Sequence, residues 1–437
     1  MDHRLLLLGL LLLSPAVAAA SVPGEEEPLI RQVVGGGDDN ELELNAERHF
    51  ASFVQRFGKS YRDADEHAYR LSVFKANLRR ARRHQLLDPS AEHGVTKFSD
   101  LTPAEFRRAY LGLRTSRRAF LRGLGGSAHE APVLPTDGLP DDFDWRDHGA
   151  VGPVKNQGSC GSCWSFSASG ALEGANYLAT GKMDVLSEQQ MVDCDHEVRG
   201  VCFPFLVFAY WYIIILLLGA SFICNFVIVG YVLLLFVFYC YLFQLNGVSQ
   251  LTGLHCYLIL QCDSSEPDSC DAGCNGGLMT NAFSYLLKSG GLESEKDYPY
   301  TGRDGTCKFD KSKIVTSVQN FSVVSVDEDQ IAANLVKHGP LAIGINAAYM
   351  QTYIGGVSCP YICGRHLDHG VLLVGYGASG FAPIRLKDKA YWIIKNSWGE
   401  NWGEHGYYKI CRGSNVRNKC GVDSMVSTVS AIHTSKE

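Results

Sequence analysis

A cysteine at a predicted helix start, with an amide side chain six residues before it, could carry out chemistry in this chain. Both lie in the run Gln157-Gly-Ser-Cys-Gly-Ser-Cys163-Trp. A thiol at a helix N-terminus lies at the positive end of the helix dipole, which favours the ionised, nucleophilic form. An amide N–H nearby can stabilise the oxyanion that forms when a thiolate attacks a carbonyl carbon. The run therefore predicts attack by Cys163 on a carbonyl, with Gln157 as an oxyanion donor.

A cysteine nucleophile needs a base, and His369 is the candidate. It precedes the apolar run Gly-Val-Leu-Leu-Val-Gly-Tyr, which is typical of a strand. Asn396 ends a second strand-like run, Tyr-Trp-Ile-Ile-Lys, and its side-chain oxygen can orient the imidazole. A lone histidine or asparagine would more often be a surface or turn residue. Together, these residues predict a Cys-His-Asn mechanism with a resting thiolate–imidazolium pair.

A buried helix must position the nucleophile. After Cys163, apolar residues recur at helical spacing, and Gly181 is a suitable helix stop. The members of this apolar face are Ala168, Ala171, Leu172, Ala175, Leu178 and Ala179.

Two further motifs lie upstream in a basic stretch. The first has six residues at steps of 4, 4, 3, 4 and 4, which aligns them along one face of a helix: Glu66, Arg70, Phe74, Asn77, Ala81 and Gln85. Periodicity alone would predict only an amphipathic helix. The second motif is Gly94-Val-Thr96-Lys-Phe98-Ser-Asp100.

These motifs resemble papain-like cysteine proteases, in the plant cathepsin F-like branch. The run at Cys163 fits the family pattern C-G-[SA]-C-[WY]. The upstream motifs resemble those of the family's prosegment, with Thr96 where asparagine is usual. The resemblance implies an α+β, papain-like two-lobed fold with a helical lobe and a β-barrel-like lobe, preceded by a helical inhibitory prosegment. It also implies a cysteine endopeptidase that is made as an inactive zymogen.

The chain divides into three expected parts. Residues 1–20 read as a secretory signal peptide, because Arg4 precedes a leucine-rich run and small residues follow it. Residues 21–135 form the propeptide, with the inhibitory prosegment at about 47–122. Residues 136–437 form the peptidase domain. Secretory entry makes disulfides the expected state of the 15 cysteines, and it gives meaning to the glycosylation sequon at Asn320.

The resemblance also implies substrate-binding residues and disulfide bonds. The substrate-binding residues are Gly276, Gly277, Leu278, Met279, Gly344, Leu367 and Met425. They are apolar or small, so the expected preference is for a hydrophobic residue at the substrate's P2 position. The implied bridges are Cys160–Cys274, Cys194–Cys307 and Cys363–Cys420, with Cys262–Cys270 and Cys359–Cys411 as further pairs.

The expected partners follow from this reading and from the composition. They are protein or peptide substrates, the chain's own prosegment as an intramolecular inhibitor, and cystatin-like inhibitors by family resemblance. A net charge of −6 with 20% charged residues does not favour nucleic-acid binding. The chemistry requires no metal and no cofactor. The resemblance places the enzyme in a vacuole or lysosome, or outside the cell.

Residues 198–261 do not fit this organisation. From residue 200 to residue 262 the chain has no Asp, Glu, Lys or Arg, and hydropathy alone predicts two membrane-spanning helices. The residue types are those of T-rich codons, and Val198 and Gln261 fit the GT and AG borders of an intron. Cys163 and His369 are 206 residues apart as written and 142 apart without the run, against about 130 to about 150 in papain relatives. The sequence therefore favours a retained intron that has been translated.

Two alternative functions remain open at this stage. If the run is a true insertion, the chain is a catalytically impaired, membrane-associated or misfolded isoform that binds partners through its prosegment. An exopeptidase or transferase on the same fold is the second alternative, although nothing in the chain resembles the occluding insertions of exopeptidases.

Overall fold

The computed structural model describes residues 45–114, 129–195, 271–380, 389–413 and 420–432. The predicted signal peptide, the run 198–261 and the Cys262–Cys270 bridge lie outside the described residues. None of the helices in these ranges combines the length and the apolar character that crossing a bilayer requires.

The N-terminal part is a small helical unit. It consists of α1 (Ala46–Arg56), α2 (Ala64–Leu87), the short strand β1 (Ala91–His93) and α3 (Pro103–Tyr110). Asp63 caps the start of helix α2, because its side chain accepts the backbone N–H of Glu66, and the helix contains the predicted helix over 66–85. Helix α3 begins with a capping box between Thr102 and Glu105. The unit has its own hydrophobic core, which includes Phe50, Phe53, Phe74 and Leu78.

Four helices of the C-terminal part carry or support the site: α4 (Cys163–Thr180), α5 (Glu188–Cys194), α6 (Met279–Ser289) and α7 (Glu328–His338). Helix α4 begins at Cys163 and ends at Gly181, which has a left-handed φ of 72°, as the sequence predicted. Its residues 163–176 are buried. The prediction was wrong for Leu178 and Ala179, which are exposed because the last turn of the helix extends beyond the core.

The strands of the C-terminal part form one largely antiparallel sheet with β1. They are β2 (His129–Glu130), β3 (Phe143–Asp144), β4 (Leu292–Glu293), β5 (Ile314–Val323), β6 (Leu341–Ile345), β7 (Tyr353–Ser358), β8 (His369–Gly380), β9 (Lys389–Lys395), β10 (Tyr407–Cys411) and β11 (Val426–Ile432). The strand order is β1-β7-β10-β9-β8-β6-β11-β5-β2, with β3 beside β8 and β4 beside β5. The predicted strands after His369 and before Asn396 are β8 and β9, which are neighbours.

The helical N-terminal unit docks on this sheet and extends it. Strand β1 pairs antiparallel with β7, where Ala91 lies opposite Gly356. Thr96 donates its hydroxyl to the carbonyl of Gln351 at 2.6 Å, and Lys97 donates to the carbonyl of Trp398 at 2.5 Å. The second prosegment motif and β1 therefore both bind the catalytic domain.

Four disulfide bonds cross-link the described residues: Cys160–Cys274, Cys194–Cys307, Cys359–Cys411 and Cys363–Cys420. Cys163 is the free cysteine of the described part, and it is buried. Asn320 lies exposed in β5, where a glycan would meet solvent rather than the core.

Candidate active site

The start of α4 and the ends of two neighbouring strands bring the predicted catalytic residues together. Cys163 is the first residue of α4, His369 is the first residue of β8, and Asn396 directly follows β9. His369 Nε2 and Asn396 Oδ1 are 2.8 Å apart. The N–H of Gly370, next to His369, donates to Cys163 Sγ at 3.3 Å. Because β8 and β9 are neighbours in the sheet, they place His369 and Asn396 together beside the thiol of Cys163.

An aromatic ring covers the imidazole. The indole of Trp398 stacks on His369 with 4.7 Å between the ring centroids and an interplanar angle of 24°. Trp398 is fully buried, so it shields the bond between His369 and Asn396 from water. A shielded hydrogen bond is stronger than the same bond in water.

Gln157 is held by the residue between Asn396 and Trp398. Ser397 Oγ donates to Gln157 Oε1 at 2.6 Å, and the N–H of Gln157 donates to the carbonyl of Ser397 at 2.8 Å. Ser397 was not among the predicted site residues, although its position between Asn396 and Trp398 in the sequence was a signal. Three consecutive residues therefore fix the base and the oxyanion donor.

The chain segment after α3 runs across the thiol. The N–H of Gly112 donates to Cys163 Sγ at 3.3 Å, and the amide of Gln157 donates to the carbonyl of Tyr110 at 3.1 Å. Gly277 donates its N–H to the carbonyl of Gly112 at 2.9 Å and accepts the N–H of Arg114 at 3.0 Å. A carbonyl of the prosegment thus already uses the predicted oxyanion donor.

The side chain of Leu113 fills the predicted P2 pocket. It belongs to one buried hydrophobic cluster with Leu278, Met279, Leu367 and Met425. Gly344 completes this pocket, because a methyl group added at Gly344 would lie 2.9 Å from Leu113 Cδ2. Gly276 and Gly277, the predicted glycine pair, contact the same segment. Gly277 forms a β-bridge with Leu113, and a methyl group on Gly276 would lie 2.6 Å from the carbonyl oxygen of Gly112. The three predicted glycines therefore contact residues 112–114, and the four predicted apolar side chains share one buried cluster with Leu113.

The covered site disfavours charge on both reacting groups. Burial raises the pKa of the Cys163 thiol to about 11, although the N–H groups of Gly370 and Gly112 oppose this shift. Burial lowers the pKa of His369 to about 4, and the hydrogen bond with Asn396 opposes it. The thiolate–imidazolium pair expected from the residue types is therefore not the favoured state under the prosegment, because both side chains are fully buried.

Comparisons with known proteins cover both parts of the chain. The model of the papain family cysteine protease matches residues 139–215 and 244–430. The model of the cathepsin propeptide inhibitor domain (I29) matches residues 50–106. The break between the two peptidase matches, residues 216–243, falls within the apolar run.

Relatives and solved structures of the same kind are similar over nearly the whole chain. "Cysteine proteinase 1" of Zea mays is 75% identical over 437 residues, which covers 100% of both chains. "Cysteine proteinase 15A" of Pisum sativum is 55% identical over 432 residues, 99% of each chain. A solved structure of digestive procathepsin L2 proteinase from the larval midgut of Tenebrio molitor has a TM-score of 0.63 and 28% identity, and covers 88% of this chain and 99% of that one.

Proposed function

Because this chain belongs to the papain family of cysteine proteases, we propose that Cys163, His369 and Asn396 carry out peptide-bond hydrolysis in it. The chain is a cysteine protease zymogen with a propeptide inhibitor domain. The observation that carries the residue assignment is the convergence of His369, bonded to Asn396 at 2.8 Å, with the thiol at the start of α4.

The proposed steps use these residues alone. Once the prosegment has left the cleft, solvent reaches Cys163 and His369, and the thiolate–imidazolium pair forms. The thiolate attacks the peptide carbonyl carbon, and His369 donates its proton to the leaving amine. Water then attacks the thioester carbonyl while His369 takes a proton from it, and loss of the thiolate releases the carboxylic acid and restores the thiolate–imidazolium pair.

Gln157 is the proposed side-chain donor to the oxyanion, together with the backbone N–H of Cys163. The support for Gln157 is its present hydrogen bond to the carbonyl of Tyr110, since a donor that reaches one carbonyl oxygen in the cleft can reach another. The bond from Ser397 holds this amide in place before substrate arrives.

Substrate preference is proposed from the pocket that Leu113 fills. The pocket is lined by apolar side chains, and burying a charged P2 side chain there would cost several kcal/mol without a partner. We therefore expect leucine-like residues at P2. A peptide blocked at both ends, with leucine at P2, tests the function directly. Cleavage in its interior supports an endopeptidase, whereas an exopeptidase or a binding-only isoform leaves it intact.

The prosegment inhibits through a close contact that only glycine permits. A methyl group added at Gly112 would lie 1.7 Å from the carbonyl oxygen of Gly161. We expect the Gly112→Val proform to hydrolyse the blocked peptide at least about tenfold faster than the parent proform, because residues 110–114 must move off the thiol. Initial rates at neutral pH, with gel analysis to exclude processing, measure the effect.

Ala104→Val is the matched control for Gly112→Val. It introduces the same side chain into the same prosegment, at an exposed position of α3. The control proform should stay as inactive as the parent. A Gly112→Val proform that is equally inactive would contradict the proposed path of the prosegment across Cys163.

The reactivity of Cys163 should change when the prosegment leaves. At pH 7 a thiol pKa of about 11 leaves about one thiol in ten thousand ionised. In the zymogen, alkylation by iodoacetamide should be slow at pH 7 and rise with pH toward about 11, whereas the processed enzyme should react fast even in mild acid. Mass spectrometry of the peptide containing Cys163 measures both rates. Equal rates at pH 7 would show that the prosegment does not suppress ionisation.

We propose that the processed enzyme begins near residue 136, after the prosegment and its linker. Four disulfide bonds in the described residues favour folding in the secretory pathway, with a vacuolar, lysosomal or extracellular destination. Exposure of Asn320 is compatible with glycosylation. Cystatin-like inhibitors are proposed as partners of the cleft once the prosegment has left it.

A further inference from the structure

Two buried carboxyl groups lie beneath the substrate-binding glycines. Asp195 follows α5 and is 6% exposed, and Asp271 precedes the turn Gly273–Asn275 and is 2% exposed. The two side chains hydrogen-bond to each other. Each lies within three residues of a disulfide cysteine, Cys194 for Asp195 and Cys274 for Asp271. A disulfide bond therefore anchors each of the two segments to another part of the domain.

Asp271 also binds the edge that receives the peptide. Its Oδ1 accepts the backbone N–H of Leu278 at 2.9 Å and the side-chain amide of Asn281 at 3.1 Å. Gly277 packs directly on this carboxyl group, since a methyl group there would lie 2.8 Å from Asp271 Cγ. Gly277 pairs with the segment in the cleft, and Leu278 lines the P2 pocket. The carboxylate of Asp271 thus supports both Gly277, which pairs with the segment in the cleft, and Leu278 of the predicted P2 pocket.

Two adjacent buried carboxyl groups cannot both ionise without strong repulsion, so they share one proton. Asp271 accepts hydrogen bonds from two N–H groups, which favours its ionised form. Asp195 is then the protonated partner, and its O–H donates to Asp271. Burial raises the pKa of Asp271 to about 7, opposed by the bonds from Asp195, Asn281 and Leu278 and by the charge of Arg114. Arg114 belongs to the prosegment and leaves with it. Burial raises the pKa of Tyr285, and the charge of nearby Asp195 adds to this shift.

We propose that Asp195 and Asp271 form a positioning pair whose shared proton keeps Gly277 and Leu278 in place for the substrate. The proposal rests on the proposed protease function and adds a determinant of substrate affinity to it. When the proton is lost, Asp271 loses the donor from Asp195 and is repelled by it, and its bond to Leu278 is disturbed. KM then rises. The value of kcat changes little, because neither carboxyl group contacts Cys163 or His369 through any of the bonds described above.

The test is the pH dependence of KM and kcat for the activated enzyme with the blocked leucine peptide. Arg114 lowers the pKa of Asp271 and leaves with the prosegment, so the pair in the activated enzyme should lose its proton above about pH 7. Across that transition, KM of the wild-type enzyme should rise about fivefold or more. Asp195→Asn gives Asp271 a permanent N–H donor that does not titrate, so its KM should stay flat over this range. Comparison of the two enzymes at each pH separates the effect of the pair from the titration of the catalytic residues, which both enzymes share.

Asp304→Asn is the matched control. Asp304 accepts the N–H of Cys274 at 2.7 Å in the same loop, but it is exposed and does not pair with Asp271 in the bonds described. Its variant should keep the wild-type rise in KM. If Asp195→Asn shows the same rise as wild type, or if wild-type KM is flat, the proposal is overturned.

A second measurement needs no variant and covers the case in which Asp195→Asn fails to fold. With the side-chain carboxyl carbon of aspartate labelled with carbon-13, the infrared band of a protonated aspartic acid should disappear across the same pH range. The label separates this band from that of Glu188, whose pKa burial also raises to about 7. A band that does not change with pH overturns the pair. Absence of hydrolysis at every pH would instead contradict the proposed function, so the two failures are distinguishable.

Discussion

Replacing Cys163 with alanine is expected to leave a folded, disulfide-bonded proform that hydrolyses peptides about a million-fold more slowly than the parent enzyme. The covalent step requires a thiolate, and Cys163 is the free cysteine among the described residues. His369 and Gln157 remain in the variant, but without the sulfur they have no nucleophile to activate or oxyanion to stabilise. The loss should therefore fall almost entirely on kcat.

Hydrolysis of the blocked leucine peptide after removal of the prosegment by a second protease measures this loss. Ser165→Ala is the matched control, since it removes one side-chain atom from the same turn of α4, where the hydroxyl donates only to the carbonyl of Ser162. The control should keep activity within about threefold of the parent, as expected when one local hydrogen bond is lost. Hydrolysis by Cys163→Ala well above the uncatalysed rate would refute the role of Cys163.

Deleting residues 198–261 is expected to convert an aggregating or membrane-bound product into a soluble zymogen. We propose that this run is translated intron sequence. The described residues that flank it, Asp195 and Asp271, hydrogen-bond to each other, so the chain leaves and re-enters the domain at one point. After the deletion, eleven residues still connect the two, and each can span about 3.3 Å. The deletion therefore requires no movement of either flank.

Exposed apolar surface, rather than loop length, is the expected cause of failure in the full chain. The run has no charged residue from 200 to 262, whereas lengthening a flexible loop costs little. A chain in which 198–261 is replaced by a glycine–serine segment of equal length should therefore also be soluble. Fractionation of expressed protein, followed by the peptide assay, compares the three chains. Sequencing the transcript across codons 197–262 tests the intron itself, and a soluble, active full-length protein would count against it.

Local patterns predicted the parts of the site that lie on regular elements. Cys163 begins its helix, and His369 and Asn396 lie at strand ends, because capping, dipole and apolar runs act over a few residues. The glycine pair and the apolar pocket followed from the family resemblance. These predictions needed no knowledge of distant contacts.

Features that depend on distant segments were not predictable from such patterns. Burial favours the neutral forms of Cys163 and His369, and it depends on distant segments, including Gly112 against the thiol and Trp398 against the imidazole. The Asp195–Asp271 pair joins residues that the apolar run separates in sequence. The exposure of Leu178 depends on where the core ends rather than on its helical spacing. In each case, burial or a long-range contact decides the outcome.

The pairing of β1 with β7 also means that processing changes the boundary of the sheet. Removal of the prosegment uncovers backbone N–H and C=O groups of β7, and an open strand edge can recruit a strand from another molecule. The edge uncovered here is short and irregular: β1 pairs over three residues, its register shifts between Glu92 and His93, and Gly356 has a φ of 79°. A neighbouring chain would find few aligned groups to bind, so the processed enzyme is protected from edge-to-edge association by the irregularity of its own strand.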